Sequence, residues 1–108
     1  MADATIVMKF GGSSVADAER LRRAAKRIVA RREEGHRVVA VLSARGKETD
    51  RLIEAAFEVS ENPDPREMDM LLTTGERQTA ALMTMALADR GIDAISFTGS
   101  QIRMFTDN

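Results

Sequence analysis

Apolar positions change their period along this chain. Residues 5–10 are β-branched and largely apolar and stop at Gly11-Gly12, the pattern of a buried strand. Beyond Ser14 the spacing turns helical. Leu21, Ala25, Ile28 and Val29 form one apolar stripe, which predicts a helix to about residue 34. Ser14 is a ready N-cap with Asp17 at its third position, and Gly35 is a natural terminator. Residues 37–42 form a second apolar run, read as a second buried strand.

A loop at residues 43–47 leads to a helix predicted over 49–60, with Leu52, Ile53, Ala56, Phe57 and Val59 inward. Asp64 then looks like an N-cap, with Pro65 at the first helical position and Glu67 at the third. The helical pattern from there runs to Arg90, with Gly75 as the one point where it could be interrupted and Gly91 as its end. Leu72, Thr79, Leu82, Met83, Ala86 and Leu87 share one side. Residues 93–97 read as a third strand, 98–101 as a loop and 102–105 as the start of another strand.

Strands alternating with helices predict a parallel sheet. Its carboxyl edge then gathers three small polar loops: Gly11-Gly12-Ser13-Ser14, Ser43-Ala44-Arg45-Gly46-Lys47 and Thr98-Gly99-Ser100-Gln101. Ligands of open α/β sheets bind at that edge. The chain stops at Thr106-Asp107-Asn108 as a further element begins, which reads as a truncated domain.

Composition narrows the functional classes. Of 108 residues, 16 are Lys or Arg and 17 Asp or Glu, so the net charge of −1 gives no basic arm for nucleic acid. There is no cysteine, hence no thiolate nucleophile and no cysteine zinc site, and the single His36 excludes a histidine-rich metal site. His36 itself reads as a surface residue. No apolar run approaches the ~20 residues of a membrane span. The N-terminus lacks the basic start of a secretion signal, so a cytoplasmic location is the default expectation. With four Phe and no Trp or Tyr, aliphatic residues and seven Met must fill the core, Met68/Met70 and Met83/Met85 among them.

Lys9 through Ser14 place a cation at a strand end, then glycines, then hydroxyls at a helix start. Glycine lets backbone N–H groups approach a phosphate, and a helix start favours an anion. A plain tight turn explains the same residues, and Gly-x-Gly-x-x-Gly is absent. Gly46-Lys47 is no P-loop, since Val41 fills the first glycine position and Glu48 follows the lysine. Ser43 and Thr49 are hydroxyl donors to an anion, or else a turn residue and a helix cap. Glu76 is a partner for an ammonium group, or else a carboxylate favoured near a helix start. Arg20, Arg23, Arg27 and Arg31 line one side of the first helix and read as a solvated face.

Four stretches together resemble the aspartate kinases of the amino acid kinase superfamily. They are residues 9–15, 41–50, 66–77 and 97–101, in the family's order and spacing and spread over nearly the whole chain. The resemblance implies a three-layer α/β/α sandwich with a mainly parallel sheet. This chain would be the N-terminal part of the catalytic domain at 1–108, without the C-terminal ATP-binding part and the regulatory domains. It implies transfer of the γ-phosphate of ATP, with Mg2+, to the side-chain carboxylate of L-aspartate. The product is 4-phospho-L-aspartate, the entry to lysine, threonine and methionine synthesis. Lys9 would be the catalytic contact to the moving phosphate. Lys9, Phe10, Gly11, Gly12, Ser13 and Ser43 would bind the nucleotide, and Thr49 and Glu76 would hold aspartate, Glu76 through its α-amino group. The complete protein would be a homo-oligomer without nucleic-acid or membrane partners, and this chain alone would be inactive. A kinase for glutamate or acetylglutamate and a non-catalytic assembly fragment are the alternatives. The family usually has Met or a small residue at Arg45, often Thr at Glu48, and Ala-Gly at Ile102-Arg103.

Overall fold

A computed structural model describes residues 4–96 of the chain. Strand β1, Thr5–Phe10, leads through a 3-10 turn, Gly12–Val15, into helix α1, Ala18–Glu33. Strand β2, Arg37–Leu42, then helices α2, Glu48–Val59, and α3, Pro65–Ala88, follow. The two strands pair in parallel, with Thr5 opposite Arg37 and Phe10 opposite Leu42. The α/β class and the parallel sheet are as the sequence pattern predicts. No helix of the described residues is long and apolar enough to cross a membrane.

One core fills one face of the sheet. Met8 and Phe10 of β1 and Val38, Ala40 and Leu42 of β2 pack with Leu21, Ala24, Ala25 and Ile28 of α1 and Met83 and Leu87 of α3. The alternate residues Val7, Lys9, Val39 and Val41 point the other way and are exposed. The strands are therefore half-buried rather than buried, because the packed helices α1 and α3 lie on one side. Among the described residues, the sheet and one helical layer of the expected sandwich are present.

Local chemistry explains the boundaries. Asp17, not Ser14, caps α1: its Oδ1 accepts the Arg20 amide at 2.8 Å. Ser14 is instead drawn into the 3-10 turn, its amide bonded to the Gly11 carbonyl at 3.0 Å. At the other end Gly35 takes φ 93°, which lets its amide reach the Arg32 carbonyl and that of His36 reach Arg31. Asp64 caps α3 through the Glu67 amide at 3.1 Å, and the helix runs unbroken through Gly75 to Ala88.

Four further expectations need correction. Phe57 and Val59 of α2 face outward, since α2 meets α3 only along a narrow stripe around Leu52 and Ala56. Each methionine pair splits, because residues two apart lie on different faces of a helix. Met83 is buried and Met68 half-buried, whereas Met70 and Met85 are exposed. The His36 ring is half-buried, its Nε2 3.6 Å from Glu34 and its Nδ1 buried without a partner. Residues 93–96 are not in a strand, although Ile92 and Ala94 pack on the core. Residues 97–108, with the expected third loop, the next strand and Arg103, lie outside the described residues.

Candidate functional site

Parallel pairing in register brings the carboxyl ends of β1 and β2 side by side. Two backbone bonds then join the loops that follow. The Ser43 amide donates to the Phe10 carbonyl at 3.2 Å, and the Gly46 amide donates to the Gly12 carbonyl at 3.0 Å. The glycine loop and the loop after β2 thus form one polar edge, as the sequence predicts.

Lys9 is the penultimate residue of β1 and projects from the exposed sheet face, on the side away from α1. The Phe10 ring is buried in the core, with the Arg27 guanidinium 5.4 Å from its centroid, so only its backbone is at the edge. The two glycines differ. A Cβ on Gly11 would meet nothing within 4 Å, whereas one on Gly12 would stand 3.0 Å from the Ala44 carbonyl oxygen. Gly11 therefore borders free space, and Gly12 serves loop packing. Ser13 and Ser43 are exposed. The Ser13 carbonyl accepts a long bond from Arg20 at 3.5 Å.

Thr49 is the second residue of α2 and does not cap it; the cap position is Lys47, with no side-chain bond. Glu76 lies in the middle of the 24-residue α3, far from a helix start, which removes the macrodipole explanation for it. A contact one residue upstream of each brings the two helices together. Glu48 Cγ lies 3.4 Å from the Cβ position of Gly75. Glu76 itself opens onto a groove of about 900 Å³ between β2 and α3, whereas Gly75 and Gln78 face a separate cleft of about 670 Å³ at the start of α2.

That second cleft holds residues that sequence reasoning did not select. Arg51 embraces Glu48 through two bonds, 2.6 Å from Nη2 and 3.3 Å from Nε. These bonds hold the Glu48 carboxyl below the usual carboxylate range; partial desolvation opposes them, and the charges of Arg51 and Arg45 add to them. The i,i+3 spacing of Glu48 and Arg51 was legible beforehand. Contacts of Ala44 with Gly12 and Gly75 were not, because they join residues distant in sequence. The arginine face of α1 is solvated as expected, with Arg23 on Glu19 at 2.9 Å and Arg31 on Glu34 at 3.0 Å. Among the described residues no group of three His, Asp or Glu is placed to hold a metal ion.

Comparison with known proteins shows the family of the chain. The profile of the amino acid kinase family matches residues 4–107. The chain is 50% identical over 102 residues to Aspartokinase 2 of Bacillus subtilis, which covers 94% of this chain and 25% of that protein. It is 56% identical over 103 residues to an aspartokinase of Mycolicibacterium smegmatis, covering 95% of this chain and 24% of the relative. A crystal structure of aspartate kinase from Synechocystis superposes with a TM-score of 0.87 at 48% identity, over 90% of this chain and 17% of that one. The chain thus spans about a quarter of the length of the curated relatives it matches.

Proposed function

Because the chain belongs to the amino acid kinase family, we propose that it forms the phosphate-binding and aspartate-binding edge of an aspartate kinase. The observation that carries this reading is the joined polar edge. Lys9, the open Gly11 backbone, Ser13 and Ser43 stand at the ends of two parallel strands, and Thr49 begins the helix that follows the second loop. The names of the relatives supply the substrate.

In the proposed reaction an oxygen of the L-aspartate side-chain carboxylate attacks the γ-phosphorus of ATP. The bond from that phosphorus to the β,γ-bridging oxygen breaks, and ADP leaves. The product is the acyl phosphate 4-phospho-L-aspartate, whose use in lysine, threonine and methionine synthesis follows from the family. The nucleophile is already ionised at neutral pH, so no general base is needed. What remains is to align two anions and offset their repulsion. Lys9 supplies a positive charge to the transferring group, and the amides and hydroxyls of Gly11, Ser13 and Ser43 supply fixed donors. Gly12 holds the second loop in place. Thr49 and the Glu76 carboxylate bind aspartate, Glu76 at its α-ammonium group. Magnesium would accompany the nucleotide and screen its charge; the described residues offer it no three-ligand cluster.

The test is an assay of the full-length protein with MgATP, trapping the acyl phosphate with hydroxylamine. Product is expected with L-aspartate and not with D-aspartate, L-glutamate or N-acetyl-L-glutamate. Preference for glutamate or acetylglutamate overturns the assignment.

A further inference from the structure

Three small residues from three elements meet at one point of this fold. Ala44, in the loop after β2, is buried. On one side of it lies Gly12, where an added Cβ would stand 3.0 Å from the Ala44 carbonyl oxygen. On the other lies Gly75 of α3, where an added Cβ would stand 2.9 Å from the Ala44 Cβ, 3.4 Å from Glu48 Cγ and 3.6 Å from Leu52 Cδ1. Glycine weakens a helix interior relative to alanine, yet α3 carries one at its midpoint. The approach of Ala44 explains why: a methyl group does not fit there without displacing the loop or α2.

We propose that Ala44, clasped between Gly12 and Gly75, is a positioning residue that sets the separation of the phosphate side of the site from its aspartate side. The connections are short. Ser43 precedes Ala44, Glu48 precedes Thr49, and Gly75 precedes Glu76. A shift of the clasp is carried directly to Ser43, Thr49 and Glu76, three of the residues assigned to a ligand. Side chains at the clasp touch no ligand in this scheme; they act through the residues beside them. The proposal rests on the aspartate kinase reading and adds to it the device that sets its geometry.

The experiment is steady-state kinetics on the full-length enzyme, with L-aspartate and MgATP varied separately and melting temperatures measured on the same samples. Gly75→Ala is expected to raise KM for L-aspartate about tenfold while KM for ATP changes by less than about twofold, since a displacement well under 1 Å is costly where alignment matters. The double variant Ala44→Gly/Gly75→Ala removes the atom that the new methyl meets and is expected to return KM for aspartate to within about threefold of wild type. Val29→Ala, packed against the core on α1 and lining neither the groove nor the cleft, lowers stability alone and is the control for a merely structural effect. If Gly75→Ala does not fold, Ala44→Gly alone loosens the clasp and is expected to raise the same KM severalfold. An unchanged KM for aspartate in the folded variants, or restored melting without restored KM in the double variant, overturns the proposal. A wild-type enzyme inactive on aspartate overturns the underlying reading instead, and is seen before any variant is made.

Discussion

The Gly46 amide donates a hydrogen bond to the Gly12 carbonyl at 3.0 Å, and so ties the loop after β2 to the loop after β1. Gly46 makes this bond at φ 49°, a left-handed conformation that a side chain would strain. The bond separates the roles of two adjacent glycines. Gly12 is pressed against the Ala44 carbonyl, whereas Gly11 has extended backbone, φ −75° and ψ 171°, and open space at its Cβ position. Gly12→Ala is expected to destabilise the chain by about 1–3 kcal/mol through overpacking. Gly11→Ala is expected to leave the melting temperature unchanged or slightly raised, because alanine adopts that backbone and restricts the unfolded chain. In the full-length enzyme it should nevertheless raise KM for ATP, since its methyl enters the space given to phosphate. Equal melting losses for the two variants would refute the distinction.

Glu48 and Arg51 give a pH-dependent contribution of known sign. The carboxyl is held below its ordinary pKa chiefly by the bonds from Arg51, so the folded state binds protons less readily than the unfolded chain. The pair's stabilisation is present above the ordinary carboxylate pKa and is lost as pH falls through the lowered value. The Arg51 pKa is raised by the same bonds, which affects only strongly alkaline solution. Wild type should melt above Glu48→Gln at about pH 7, and the gap should close toward about pH 3. A gap independent of pH would show that the glutamine acts through packing. Arg51 is 72% exposed, so the gap should also shrink in high salt.

Capping of α1 offers a direct comparison of two candidate residues. Asp17 accepts the Arg20 amide at 2.8 Å, and the Ser14 side chain makes no capping bond. Asp17→Ala is expected to cost about 1 kcal/mol, or about 4–8 °C in a domain of this size. Ser14→Ala should change the melting temperature by no more than about 2 °C, within the ordinary range for an exposed substitution. Thermal denaturation followed by circular dichroism decides; the reverse ranking would place the helix start at Ser14.

Both strands and all three helices were legible in the sequence because their signals are local. The 5–10 and 37–42 runs match β1 and β2 residue for residue, and Asp64 with Pro65 marks the start of α3. That Asp17 rather than the expected Ser14 caps α1 was not legible, since Ser14 is drawn into a 3-10 turn whose bond to Gly11 exists only in the folded loop. Outward Phe57 and Val59 were misjudged for a similar reason: helical spacing defines a stripe, and only the position of α3 decides its width. The polar edge followed from alternating strands and helices alone. The Ala44 clasp did not, because residues 12, 44 and 75 carry no sequence signal of their mutual approach. Likewise Glu76 stands beside the contact that joins α2 and α3, yet opens onto the groove along β2, an orientation set by the turn of the helix rather than by its sequence neighbours.

Val7 and Val39 face each other in register on the uncovered side of the sheet, 59% and 44% exposed, with Val41 beside them at 47%. Charge limits this patch at two points, Lys9 opposite Val41 and Arg37 opposite Thr5. Among the described residues the sheet has only two strands, so each strand also has one unpaired edge. Valines between open edges are a surface on which strands of separate molecules pair, and the flanking cations oppose this only partly. The 108-residue chain is therefore expected to bind a dye that reports exposed apolar surface and to self-associate as concentration rises. Val7→Thr/Val39→Thr keeps the β-branched shape that suits a strand while replacing a methyl by a hydroxyl on each side chain. It should reduce both signals and change stability by no more than about 0.5 kcal/mol, because both positions are on the surface. Sedimentation velocity over a concentration series checks this. A wild-type chain that stays monomeric and dye-silent would mean that Lys9 and Arg37 alone suffice to keep the face apart from its copies.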